Sequence, residues 1–88
     1  MLESKIQAAF IKKLKASGAY YVKIISASTS GHPDILALAN GRLHAYEIKS
    51  KSGTMSEMQK YRRGQILACG GDYTIIREVQ NADTIRKI

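Results

Sequence analysis

Residues 31–49 read Gly31-His32-Pro33-Asp34-Ile35-Leu36-Ala37-Leu38-Ala39-Asn40-Gly41-Arg42-Leu43-His44-Ala45-Tyr46-Glu47-Ile48-Lys49. Asn-Gly between two apolar runs is the strongest short-range signal of a two-residue β-hairpin. With the turn at Asn40-Gly41, Ala39 faces Arg42 and Asp34 faces Glu47. Facing residues share one side of the sheet. Lys49, two residues past Glu47, shares that side, and His44 lies on the other. Opposed pairs alternate between hydrogen-bonded and closer, non-hydrogen-bonded sites. Counting from the turn, Asp34 and Glu47 occupy a closer site, with Cβ atoms about 4.5–5.5 Å apart. Pro33 then falls opposite Ile48. It has no N–H, so the Ile48 carbonyl loses its cross-strand donor. Two carboxylates and a free carbonyl, from Asp34, Glu47 and Ile48, make an all-oxygen cluster of the kind preferred by Mg²⁺ or Mn²⁺. Without a cation the two acids repel. The competing reading is a surface hairpin whose charges happen to align.

The rest of the composition agrees with work on a polyanion. Fourteen Lys and Arg against seven Asp and Glu give 88 residues a net charge of +7. Nucleic acid is the first candidate partner. An anionic membrane is second, but the basic residues are spread along the chain rather than gathered on one helix. Fixed acids repel phosphate unless a metal bridges them, so an acidic cluster in a basic protein points to metal-dependent chemistry on phosphodiesters. The length suits a single domain, residues 1–88, burying roughly 60% of its unfolded surface. No stretch reaches the length of a membrane span and no signal-peptide pattern opens the chain, so a soluble cytoplasmic protein without a membrane partner is expected. The single Cys69 sits in an apolar helical stretch and reads as a buried structural thiol.

Outward from the hairpin, residues 1–17 read as a helix, with Leu2, Ile6, Ala9, Phe10 and Leu14 at helical spacing. Residues 20–26 read as a strand and 27–31 as a polar loop. The hairpin strands are 34–39 and 42–49. Thr54-x-x-Glu57 fits a capping box, placing a helix from about Met55 to about Cys69, ended by Gly70-Gly71. Tyr73–Val79 reads as a fourth strand. Asn81 or Asp83 would cap a short last helix through Ile88. The order is αβββαβ. A helix between the third and fourth strands implies a crossover, hence an α/β domain with a central mixed sheet flanked by helices.

Gly31-x-Pro33-Asp34 followed by Glu47-Ile48-Lys49 resembles the core of the PD-(D/E)xK nuclease superfamily. The whole chain is similar to its VRR-NUC branch, the virus-type replication-repair nucleases. A glutamate-bearing first helix, a lysine on the first strand, the two motifs and a later helix with a glutamine recur in order. The resemblance implies a restriction-endonuclease-like core and a phage-type, standalone domain related to Holliday-junction resolvases. It implies a Mg²⁺- or Mn²⁺-dependent endonuclease acting on DNA, with branched DNA such as a Holliday junction or flap as substrate. It also implies a homodimer and a role in DNA repair in a bacterial or phage-infected cytoplasm. The rival readings are a non-catalytic DNA-binding module that kept the fold, and a nuclease acting on RNA.

Residue by residue, the resemblance makes Asp34 and Glu47 metal ligands, with the Ile48 backbone carbonyl as a third. Lys49 would orient the attacking water or stabilise charge on the phosphate, and between two acids its charged form is favoured. Otherwise it is a solvated lysine at a strand end. Glu3 matches the first-helix glutamate that completes the metal site in resolvase-like members, although an acid there also suits the helix dipole. Gln59 matches the catalytic-site glutamine, against the reading of an ordinary exposed helix glutamine. Lys23 and Tyr61 match nucleic-acid contacts. Tyr61 also reads as core or interface. His32 and His44 read as structural.

Overall fold

The computed structural model describes residues 2–77. Helix α1 spans Glu3–Ala16, followed by strands β1 (Tyr20–Lys23), β2 (Ile35–Ala39) and β3 (Arg42–Ile48), helix α2 (Glu57–Ala68) and strand β4 (Asp72–Ile76). The four strands form one mixed sheet in the order β1-β2-β3-β4. The first two pairings are antiparallel and β3 with β4 is parallel, an arrangement that the intervening helix makes possible as a crossover. The expected αβββαβ order and fold class are therefore those of the molecule. The final helix expected from Asn81 or Asp83 lies outside the described residues.

The hairpin has the register that Asn40-Gly41 dictates. Ala39 pairs with Arg42, and Ile35 with Tyr46. Asn40 has φ 55° and Gly41 has φ 74°, the positive values that a primed turn needs. Each ladder pair shares a face. Ile35, Ala37, Tyr46, Ile48 and Ile76 point to one side, where Ile6, Phe10 and Leu14 of α1 meet them in the core. Phe10 and Tyr46 pack with ring centroids 4.7 Å apart. Three α1 residues at four-residue steps thus cover one face of the sheet. The other face carries Leu36, Leu38, Leu43, Ala45, Glu47 and Tyr73. Helix α2 lies on that side against β4, and none of its residues is buried.

Several boundaries differ from expectation for identifiable reasons. Leu2 is the N-cap residue of α1 and is exposed rather than core. Strand β1 stops at Lys23, short of the expected residue 26. β4 begins at Asp72 and ends at Ile76. Helix α2 begins at Glu57, with Ser56 and Gln59 forming the capping box instead of Thr54 and Glu57. Both quartets fit the same signature, and the second also brings Gln59 to the site described below. Cys69 caps the exposed end of α2 and is itself exposed, so it is not a buried thiol.

Candidate metal and nuclease site

Asp34 sits where β1, β2 and β3 converge. Its carbonyl accepts from Ile24 N at 2.8 Å, and its N–H donates to the Tyr46 carbonyl at 3.1 Å. Tyr46 already pairs with Ile35, so two residues of one strand oppose one of the other, as in a β-bulge. The bulge ends the regular ladder just before the expected Asp34–Glu47 pair. It also aims Asp34 Oδ2 at the Ile48 N–H, 2.8 Å away. Pro33, which is buried, has no N–H to offer the Ile48 carbonyl.

Glu47 is only 3% exposed, a buried acid in a basic protein. Its Oε2 accepts from Gln59 Nε2 at 3.1 Å and lies 3.6 Å from Lys49 Nζ. Its Oε1 is buried without a hydrogen-bond partner. Burial pushes the Glu47 carboxyl up to about 7, the charge of Asp34 pushes in the same direction, and Lys49 opposes both. Two carboxyls close enough to disturb each other, one with a bare buried oxygen, form a pair that a cation would relieve.

The loop before Asp34 is fixed against α2. Gly31 has φ +82°, and a Cβ there would stand 2.7 Å from the Met58 carbonyl carbon and oxygen. Arg62 Nε donates to Ser30 O at 3.1 Å. His32 Nε2 lies 2.6 Å from Thr29 Oγ1 within the loop, in keeping with a structural role. Gln59 closes the arrangement from above. Its Oε1 accepts from Ser56 N at 2.9 Å while its Nε2 holds Glu47. The Ser56/Gln59 capping-box register also places Gln59 over the buried acid.

The remaining sequence candidates stand apart. Glu3 Oε2 accepts from Ser50 N at 3.1 Å, tying α1 to the loop after β3 rather than meeting Asp34 and Glu47. Arg77 clamps the same loop through the carbonyls of Ser50, Lys51 and Gly53. Among the described residues no group of three His, Cys, Asp or Glu side chains could hold a metal ion. Asp34 and Glu47 are thus the acidic pair, and a third protein oxygen must come from the backbone. Lys23 is exposed and shares the α1 side of the sheet with its partner Ile35, opposite the acids. Tyr61 is 57% exposed on α2, beside Arg62, whose guanidinium lies 5.5 Å from the ring centroid. His44 faces away from the acids and sits 3.4 Å from Asp72.

Sequence reasoning missed Tyr73. It pairs with Ala45 on the acidic side of the sheet, and its hydroxyl is buried. A parallel pairing across a helical crossover has no turn to set its register, so nothing local to residue 73 announced this placement.

No protein-family model matches the sequence, and no curated protein sequence matches it. A solved structure described as a VRR_NUC domain superposes with a TM-score of 0.82 at 20% identity, covering 97% of this chain and 94% of that one. At that identity the likeness is one of architecture: this chain has the fold of a VRR_NUC domain over nearly its whole length.

Proposed function

We propose that this protein is a divalent-metal-dependent endonuclease that hydrolyses DNA phosphodiester bonds, with Asp34, Glu47 and the Ile48 carbonyl as the ligands of a Mg²⁺ or Mn²⁺ ion. The observation that carries the reading is the buried, partnerless Oε1 of Glu47 beside the Asp34 carboxylate. An all-oxygen set of this kind suits a hard cation. Such an ion supplies polarisation of the scissile phosphate and a lowered pKa for the attacking water. The chain's own residues do the rest. Gln59 holds Glu47 in place. Lys49, with its ammonium 3.6 Å from Glu47, presents positive charge to the pentacovalent phosphate. Glu3 acts indirectly, by holding the Ser50 N–H just past Lys49.

The net charge of +7 supports a nucleic-acid partner, with Lys23, Tyr61 and Arg62 as contacts to the backbone or bases. Binding weakens steeply with added salt as counterions are released. A homodimer acting on branched DNA is the form we favour, in a bacterial or phage-infected cytoplasm. Tyr20, Val22, Leu38 and Leu43 leave an exposed apolar strip on the same face of the sheet as α2, over strands β1 to β3. An uncovered strip of this kind suits a second copy. Among the described residues no helix is long and apolar enough to cross a membrane.

The test is cleavage of a labelled four-way junction, a flap, linear duplex, single-stranded DNA and RNA, each with Mg²⁺, Mn²⁺ or EDTA. Metal-dependent cutting with preference for the branched DNAs is expected. Binding without cutting in either metal would instead mean a DNA-binding module, and preferential cutting of RNA a ribonuclease.

A further inference from the structure

Two side-chain oxygens on the acidic side of the sheet are buried without a hydrogen-bond partner: Glu47 Oε1 and the Tyr73 hydroxyl. The parallel register pairs Tyr73 with Ala45 and Ile75 with Glu47, so Tyr73 and Glu47 share a face two residues apart along the paired strands. The Arg63 guanidinium lies 5.9 Å from the Tyr73 ring centroid and holds the ring beneath α2. Burial and the charges of Glu47 and Asp34 together raise the Tyr73 phenol to about 12. A phenol O–H is a donor, and the ionised form of the Glu47 carboxyl, the form that binds a cation, is an acceptor. Buried polar atoms of opposite kind in one site are commonly satisfied through a shared water.

We propose that Tyr73 is a positioning residue of the acidic site, its hydroxyl donating through one shared water to Oε1 of Glu47 and holding that carboxylate in the orientation a divalent cation needs. The inference rests on the metal-site reading above and adds a residue that lies in neither sequence motif. Partners of this kind orient metal-ligating carboxylates, and their loss weakens the ion rather than the fold.

Tyr46 supplies the control. Its hydroxyl is also buried without a partner, but it faces α1 on the opposite side of the sheet. The experiment measures Mn²⁺ dissociation constants from the electron paramagnetic resonance signal of free Mn²⁺, and melting temperatures in EDTA. It compares wild type, Tyr73→Phe and Tyr46→Phe. Tyr73→Phe is expected to weaken Mn²⁺ binding about tenfold without lowering the melting temperature in EDTA. Tyr46→Phe is expected to bind Mn²⁺ as wild type does. Wild-type affinity in Tyr73→Phe, or an equal loss in Tyr46→Phe, overturns the proposal and leaves the metal-site reading standing. A wild-type protein that binds no Mn²⁺ overturns both.

Discussion

Gln59 Nε2 donates to Glu47 Oε2 at 3.1 Å, so the residue that caps α2 is also the one that holds the buried acid of β3. The link makes Gln59 separable from an ordinary helix glutamine by experiment.

Gln59→Ala should lose both bonds. The fold should weaken by about 1–2 kcal/mol, and metal-dependent cleavage should fall tenfold or more. Gln59→Glu keeps an acceptor for the Ser56 N–H but sets a third acid against Glu47. Its melting temperature should fall as well, because repulsion replaces the bond to Glu47, and its cleavage optimum should move to higher pH. Thermal melts and cleavage rates on the same samples check this. Unchanged cleavage in Gln59→Ala would remove Gln59 from the site.

The two acids should behave differently when removed. Asp34→Ala and Glu47→Ala should each abolish cleavage and leave DNA binding largely intact. Asp34→Ala also strips the Ile48 N–H of its acceptor, so it should cost about 1–3 kcal/mol. Glu47→Gln removes a charge that burial disfavours and should leave the metal-free protein at least as stable at pH 8. Denaturant melts in EDTA distinguish the two, and a large loss in Glu47→Gln would contradict the account.

Glu47 sets a pH dependence whose sign follows from its raised pKa. Folding lifts this carboxyl from 4.5 to about 7. Between those values the folded state keeps a proton that the unfolded chain has released. Its contribution to metal-free stability therefore falls as pH rises from about 4.5 to about 7 and levels off above, by up to about 3 kcal/mol. A bound divalent ion removes the penalty, so Mg²⁺ should raise the melting temperature more at pH 8 than at pH 5. Melts across this range with and without Mg²⁺ measure it. A slope of the opposite sign that Glu47→Gln leaves unchanged would refute the assignment.

Gly31 and Gly18 both have strongly positive φ, +82° and +83°, but only Gly31 is crowded, by the Met58 backbone. Gly18→Ala should cost about 1 kcal/mol from backbone strain alone. Gly31→Ala should cost more, because the loop must leave α2, and it should reduce cleavage by displacing Asp34. Equal effects on melting and cleavage would mean that the loop's seat on α2 does not matter.

The hairpin was legible because a two-residue turn fixes register locally: Asn40-Gly41 determined every pair from Ala39–Arg42 to Ile35–Tyr46. The side of the sheet carrying Glu47 and Lys49 followed from that. The bulge at Asp34 was not legible, since it depends on the Tyr46 carbonyl and the Ile24 N–H arriving from other strands. The helix start was ambiguous in sequence, because Thr54/Glu57 and Ser56/Gln59 fit one signature, and the Glu47 contact that accompanies the second is tertiary. Glu3 matched a pattern, yet its carboxylate is taken up by Ser50. Cys69 looked buried because its neighbours are apolar, but it lies at the exposed end of a helix with no buried residue.

The most direct test is anomalous diffraction from a crystal of the protein soaked in Mn²⁺. The account predicts one peak bound by carboxylate oxygens of Asp34 and Glu47 and by the Ile48 carbonyl, at about 2.1 Å. A fully soaked crystal with no peak between those two carboxylates, or with Mn²⁺ held only elsewhere, would contradict it.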